Sequence, residues 1–505
     1  MQKRLNRSRN WSSPFQILYK MSGKIAIIGS GFSSLAASCY LAREGYEVSV
    51  FEKNATPGGR ARQLKHLGFT FDMGPSWYWM PDIFERFFGD FEKDTADYYQ
   101  LDRLDPAYKV FFADDTLTIG AGMDRICKEF ERLEPGSSSP LRVFMRRAKE
   151  NYDIAISDIV YRPGHSPLEL ITPQTIRHID RFFRSISGEV RRGIKNPKLL
   201  ATLEFPSLFL GAKPEDTPAF YSFMNFADFG LGTWHPRGGM YEVVRGILSL
   251  AGSLGVHIAT ESPVDKIRVT HGQAVGLEVR GRFHPFDVVL SGADYHHTET
   301  LLDPGYRQYS TDYWESRVFA PSTLLFYVGF NRKLEGVEHH NLFFDADFEQ
   351  HVTDIYDDPK WPVKPLFYAN FPSVTDSGMA PGGCEAGFFL IPIAPGLEDT
   401  PELRSQYFDL ILSRLHKQTG QNLGPNVLFK ESFCVNDFRE AYNAYKGNAY
   451  GLANTLRQTA FLRPGLRSKK VKNLFFTGQL TVPGPGVPPA LISGKLVAEL
   501  IQKKI

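Results

Sequence analysis

The residues best placed to do chemistry lie near the N-terminus: Gly29-Ser30-Gly31-Phe32-Ser33-Ser34, and Glu52, 21 residues past Gly31. In such a turn the first glycine makes the tight bend and the second lets backbone approach a pyrophosphate. The third position must be small so that helix packs on strand. Ser34 holds that third place, where glycine or alanine is usual. A carboxylate at Glu52 accepts hydrogen bonds from ribose hydroxyls and repels a 2′-phosphate. Lys53 follows it directly, and Pro57-Gly58-Gly59-Arg60 comes next. Paired glycines let the chain pass close to a bulky ligand, and a guanidinium is left for a phosphate or carbonyl. These residues point to a bound dinucleotide, although the turn alone does not separate NAD from FAD. No Ser-His-Asp set, H-E-x-x-H or P-loop appears. His296 and His297 are adjacent, the wrong spacing for two ligands on one helix face, so no metal is expected.

The elements around the turn fit that reading. Residues 24–28 form a short apolar run rich in β-branched side chains, which reads as a buried parallel strand. Residues 35–43 read as helix ending at Gly45, and 47–51 as a second strand. Strand, turn, helix and strand within about 30 residues is the unit that wraps a dinucleotide. Residues 120–200 turn helical and charged, and 200–234 are dense in Phe and Leu, broken by Gly and Pro. Short strands are expected over 256–290, at 320–330 and at 385–394, with helix near 401–418. The chain closes with a strand ending in Gly478, a Gly/Pro turn, and a helix over 489–502.

The chain has 505 residues, a prior of two or three domains at about 150 residues each. Lys plus Arg number 58 against 56 Asp plus Glu, so the net charge is +2, which argues against a nucleic-acid partner held by bulk charge. With 42% hydrophobic residues there is ample side chain for a core, which excludes dominant disorder. The excess is aromatic: 40 Phe beside 22 Tyr, surface to bury or to present to something apolar. Cys39, Cys127, Cys384 and Cys434 form no C-x-x-C pair, so a reducing compartment is expected. No run of about 18 apolar residues exists to span a membrane. Residues 1–23 carry five Lys or Arg and no acid but lack the apolar core of a signal peptide. They read as a disordered leader, with translation starting at Met1 or at Met21.

At this point the sequence resembles the flavin-dependent amine oxidase superfamily, and within it the bacterial- and fungal-type phytoene (carotenoid) desaturases. The resemblance rests on the turn, Glu52 and Gly58-Gly59-Arg60, then on Phe71-Asp72-Met73-Gly74-Pro75-Ser76. Ser207-Leu208-Phe209-Leu210-Gly211, Pro236-Arg237-Gly238-Gly239-Met240 and Ala293-Asp294-Tyr295-His296-His297-Thr298-Glu299 extend it. Its most specific stretch is the tail from Gly478 to Pro488. The sequence departs from the family pattern at Ser34, at Gln479-Leu480 and at Pro488-Pro489.

The resemblance implies an α/β fold, with a Rossmann-like FAD-binding domain on a parallel sheet interleaved with an α+β substrate domain. Residues 24–100, 235–300 and 465–505 would form the first, and 101–234 with 301–464 the second, which also meets the membrane. FAD is the implied cofactor. Gly29, Gly31, Ser34, Glu52 and Lys53 would hold its ADP half, and the backbone of Val264 the adenine. Gly59, Arg60, Gly74, Pro75 and Ser76 would flank the middle and the flavin, with Gly478, Val487 and Pro488 bringing amides and a helix end to the ring. Arg60 and Asp294 are the catalytic candidates, and an N-cap role suits Asp294 as well. The implied reaction is desaturation of an apolar polyene, phytoene to lycopene-type products. The alternatives are a desaturase or isomerase of a later, hydroxylated carotenoid, or a flavin amine oxidase. Phe209, Phe220, Tyr221, Phe223 and Phe226 would line the substrate's path or an apolar doorway on the membrane. The enzyme is expected at the cytoplasmic face of a membrane as a peripheral, monotopic protein, with oligomerisation left open.

Overall fold

The structure, a computed structural model, describes residues 23–504 apart from 158, 165, 179 and 456. The expected leader therefore lies almost wholly outside the described residues. Lys24–Ile28 (β1), Glu47–Phe51 (β2), His257–Ala259 (β3), Val288–Ser291 (β4) and Leu474–Phe476 (β5) form a five-stranded sheet in the order β5-β4-β1-β2-β3. Every pair is parallel, so the middle strands are covered on both faces. The strands come from both ends of the chain and from its middle.

Phe32–Arg43 (α1) follows β1 directly. Its sequence has no β-branched residue, and two residues past its end Gly45 takes φ +97, a conformation open to glycine. Tyr241–Ser253 (α2) and Val487–Gln502 (α3) pack against it. Gly494 of α3 sets how close the last pair comes, because a Cβ there would stand 2.5 Å from the Ser33 carbonyl oxygen. The opposite face of the sheet is covered by an antiparallel three-stranded sheet over 264–285, where Ile267 and Leu277 meet Ala26 and Ile28.

A second, seven-stranded sheet runs Val427–Phe433, Ser322–Phe330, Glu385–Ile393, Phe367–Asn370, His340–Phe343, Tyr108–Phe111, Thr116–Ile119 in spatial order. Side chains alternate across a strand. Along Ser322–Phe330, Leu324, Phe326 and Val328 face helix Pro401–Thr419, while Leu325 and Tyr327 face the molecule's centre. Helices Met123–Leu133, Ser138–Ser157 and Pro197–Glu204, with short helical turns as far as residue 230, pack their apolar faces into the main core.

Three expectations shift. α1 starts at Phe32 and α3 at Val487, earlier than the periodicity predicts; Pro488 and Pro489 fit a first helical turn, where a missing N–H costs nothing. Strands at 108–111, 340–343, 367–370 and 427–433 join the second sheet, although the sequence reading assigned them no element. The 200–234 segment is mostly interior: Phe205, Phe220, Phe223 and Phe229 are all buried.

Candidate active site

β1 ends at Ile28, and Gly29 turns the chain at φ +84, where its N–H donates to the Phe51 carbonyl at 2.8 Å. Gly31 caps α1 with no side-chain hydrogen bond, and the first turn of α1 holds no acid. The first N–H groups of the helix therefore stay available for an anion. A Cβ at Gly31 would meet nothing within 4 Å, so this position faces open cavity. Gly59 crosses it, with its own Cβ position 3.2 Å from the Gly31 Cα.

Glu52 is buried at the end of β2. Its Oε2 accepts from Ser30 N at 3.0 Å and Ser30 Oγ at 2.6 Å, and its Oε1 from Asn54 N at 2.8 Å. The carboxylate thus braces the glycine turn while it lines the cavity. Lys53 reaches across to the Glu440 carbonyl, and burial holds its ammonium below the usual lysine range. Val264 lies in the same wall, beside Ser262 and Pro263.

Arg60 is buried. Its Nη2 donates to the Asn448 carbonyl at 3.3 Å and its guanidinium lies over Tyr442 at 5.1 Å. With its amide oxygen turned to the donors, Gln479 accepts from Arg60 Nη2 at 3.0 Å. Arg60 Nε has no partner among the described residues, and burial pulls the guanidinium below its ordinary value. A desolvated cation with a spare donor calls for an acceptor that the protein itself does not supply. Asp294 is an N-cap: Oδ1 accepts from His297 N at 3.2 Å and Oδ2 from Tyr445 N at 3.3 Å. Burial raises its pKa, and Arg60 opposes the rise. Both its oxygens are occupied by backbone, so it positions the wall around Arg60.

Gly74 can only be glycine, since a Cβ would fall 2.5 Å from the Arg60 carbonyl oxygen. Pro75 and Ser76 follow it along the cavity wall. Asp72 just before them accepts from Met240 N at 2.7 Å and Tyr241 N at 3.1 Å, tying this strand to the start of α2. The tail turn is arranged differently from the expectation. Gly478 N donates to Ser493 Oγ at 3.1 Å, so that amide is committed to α3. Pro488 and Pro489 have no N–H, which leaves Val487 as the only amide donor among the first three residues of α3. Arg463, buried, holds the turn through the carbonyls of Thr481 at 2.9 Å and Gln479 at 2.7 Å.

One continuous cavity of about 680 Å³ joins these groups to an apolar arm. Gly29, Gly31, Glu52, Lys53, Gly59, Arg60, Gly74, Pro75, Ser76, Val264, Asp294, Gly478, Val487 and Pro488 all line it. Phe220, Tyr221 and Phe223 line the arm, facing Leu325, Leu342 and Leu390 from the seven-stranded sheet. Two expected residues fall elsewhere. Ser34 is fully buried beside Gly292, where an added Cβ would stand 2.0 Å from the Ser34 Oγ, so it packs helix on strand rather than touching a ligand. Phe226 packs on Tyr152 at 5.4 Å and is not among the residues that line the cavity. The side chain of Phe209 lies outside the described residues. Sequence reasoning missed Gln479 as a partner of Arg60, the anchor Arg463, and the sheet's contribution to the arm. Only the strand expected at 320–330 carried any signal of the last.

The uncapped helix end, the open position at Gly31 and the spare donor of Arg60 fit a dinucleotide whose ring system extends towards the arm. The flavin-containing amine oxidoreductase family matches residues 32–502. A Haloarcula japonica protein named carotenoid 3,4-desaturase is 41% identical, over 96% of this chain and 99% of its own. A zeta-carotene-forming phytoene desaturase from Myxococcus xanthus is 32% identical, over 94% and 93%. In fold, the chain is similar to a putrescine oxidase solved with putrescine, with TM-score 0.61 at 14% identity, covering 96% of this chain and 99% of that one. This chain belongs to the flavin-containing amine oxidoreductase family and, within it, to the carotenoid desaturases, FAD-dependent oxidoreductases that act on CH–CH bonds.

Proposed function

We propose that this desaturase acts late, at the 3,4 position of an already conjugated carotenoid, and takes that substrate from a membrane surface. The observation that supports the position is the likeness to the carotenoid 3,4-desaturase, 41% over 96% of the chain, against 32% for the phytoene desaturase. The second reading, phytoene to lycopene-type products, rests on that 32% relative. A hydrocarbon chain offers almost no polar handle, so its binding must come from apolar burial at about 25 cal/mol per Å². The arm of Phe220, Phe223, Leu325 and Leu342 provides such a wall.

When bound, FAD accepts the hydride that leaves one of the two carbons, and the protein supplies position and dryness. The uncapped end of α1 and Gly31 receive the pyrophosphate, and Glu52 the ribose. Arg60 brings a desolvated positive charge to the join between the two ends of the cavity, where negative charge on the reduced ring would be offset. The arm aligns the polyene and excludes water.

The membrane reading rests on one segment. Ile156, Ile159, Val160, Arg162, Gly164, Ser166 and Glu169 line the cavity, and beside or beyond them Leu168, Ile171, Ile176 and Phe183 are 57–79% exposed. Arg177 and Arg184 are exposed beside them. Apolar side chains with flanking cations suit an anionic bilayer surface, each cation contributing about 1 kcal/mol. The free cysteines suit the reducing, cytoplasmic side. No helix among the described residues is long and apolar enough to cross a membrane.

The experiment is expression in two hosts, one accumulating lycopene and one phytoene, with pigments separated by chromatography. A red-shifted, further desaturated product from lycopene with phytoene untouched is expected. Coloured products from phytoene with lycopene unchanged would establish the second reading. Flotation with anionic vesicles tests the surface: Leu168→Ser with Phe183→Ser is expected to leave the protein in the bottom fraction.

A further inference from the structure

Desaturation removes a hydride from one carbon and a proton from its neighbour, and that proton needs an acceptor in the apolar arm. Tyr368 lines the cavity, and its hydroxyl is tied to a buried base. The Tyr368 oxygen lies 2.6 Å from His340 Nδ1 and 2.9 Å from Ser76 Oγ. The surrounding bonds set the direction of donation. Asn370 Nδ2 donates to the His339 carbonyl at 3.0 Å and sits 3.3 Å from His340 Nδ1. With the Asn370 amide nitrogen facing it, Nδ1 acts as the acceptor and the ring hydrogen goes to Nε2, which has no partner among the described residues. Tyr368 therefore donates to His340, Ser76 donates to Tyr368, and a lone pair of Tyr368 remains for the cavity.

Burial, helped by nearby His235, holds His340 well below the ordinary imidazole value, so the resting ring is neutral. Burial likewise holds Tyr368 well above the ordinary phenol value. A buried phenol alone is no base, but one bonded to a neutral imidazole can take a proton while it passes on its own.

We infer that Tyr368 and His340 are the proton acceptor of the desaturation, Tyr368 touching the substrate and His340 acting through it as a positioning residue. As the hydride leaves with its electron pair, positive charge builds on that carbon and the adjacent C–H becomes acidic. The pair of that C–H bond becomes the new π bond. Its proton goes to the Tyr368 oxygen, and the phenolic proton goes to His340 Nδ1. The two-electron oxidation is matched by reduction of FAD, which the family's activity supplies.

Burial and His235 both disfavour a charged His340, so the ring carries the extra proton only in passing, and one neighbour offsets that cost. Trp77 stacks on His340 with ring centres 4.1 Å apart, a face that attracts a cation. The rings of His340 and His339 are 4.5 Å apart, and those of His339 and His235 are 4.6 Å apart. His235 Nε2 lies 3.0 Å from Asp376 Oδ2, and that hydrogen bond holds Asp376 down to about 2, so the row ends on an ionised carboxylate.

The inference rests on the desaturation chemistry and not on which carotenoid is taken. The test is anaerobic rapid mixing of FAD-loaded enzyme with lycopene or phytoene, whichever the wild type converts, following loss of flavin absorbance. Tyr368→Phe is expected to slow flavin reduction about 100-fold, with FAD content and KM within about twofold of wild type. His340→Gln is expected to lose a similar factor, and the double variant little more, because the two act as a unit. With substrate deuterated at the carbon that loses the proton, the isotope effect should grow in Tyr368→Phe. Reduction within about threefold of wild type, losses that multiply, or an unchanged isotope effect would each overturn the inference. If Tyr368→Phe loads no FAD, the His340→Gln rate and isotope effect decide the matter on the same terms.

Discussion

The two ends of the cavity are built by different means. At the glycine turn, backbone does the positioning: Gly29 bends, Gly31 leaves open space, and a Cβ on Gly74 would stand 2.5 Å from the Arg60 carbonyl oxygen. In the arm, side chains distant in sequence line one space together, Phe223 with Leu325 and Leu390. One end tolerates almost no change of shape, and the other asks only for apolar volume. A polar cofactor needs donors at fixed places, whereas a polyene needs a dry slot of the right length.

The largest expected effect is at Gly74. Gly74→Ala drives a Cβ into backbone that cannot yield, and the purified protein is expected to carry no flavin band. A yellow protein with wild-type flavin content would break the contrast at its strongest point. Gly31→Ala separates folding from binding, because its Cβ enters open space at an ordinary φ of -70. The melting temperature of the flavin-free protein should hold while FAD affinity falls about 100-fold, read by titration. A drop in melting temperature without a change in affinity would mean that this position serves the fold instead.

The arm should respond more gently. Phe223→Ala is expected to raise KM for the carotenoid about tenfold, with FAD content unchanged, as apolar contact is lost. Loss of FAD in that variant would show that the two ends are not separable. The smallest effect is at Asp72, which links the ends through α2. Burial lifts its carboxyl from 3.8 to about 6. The folded state therefore binds more protons than the unfolded state between those values, and this group's contribution to stability falls as pH rises through that window. Asp72→Asn should remove that decline, on the order of 1–3 kcal/mol in a difference of melting curves between pH 4 and 6. Parallel curves for the two proteins would exclude it.

The glycine end was legible because its signals are local. A strand at 24–28, glycines at fixed spacing and an acid at the end of the next strand each restrict a few neighbouring residues. The arm was half legible. The density of Phe near 220 predicted apolar walls, and Phe220, Tyr221 and Phe223 supply them. Yet the same pattern placed Phe226 on the path, since short turns of mixed helical type leave no regular period from which to assign a face. The greasy surface expected at 200–234 is buried, and exposed apolar side chains gather instead at 168–183, in a stretch that also carries Arg177 and Arg181 and so gave little contrast by composition.

By itself the sequence determined the dinucleotide turn, the parallel sheet drawn from both ends of the chain, and the family to which these motifs belong. Those depend on backbone conformations that only certain residues adopt and that neighbours in sequence enforce. Tertiary structure alone decided that Gln479 meets Arg60, that Arg463 pins the tail, and that Tyr368, Ser76 and His340 share one chain of hydrogen bonds. Such pairings join residues up to 419 positions apart, and nothing in a local pattern specifies which buried polar groups will satisfy one another.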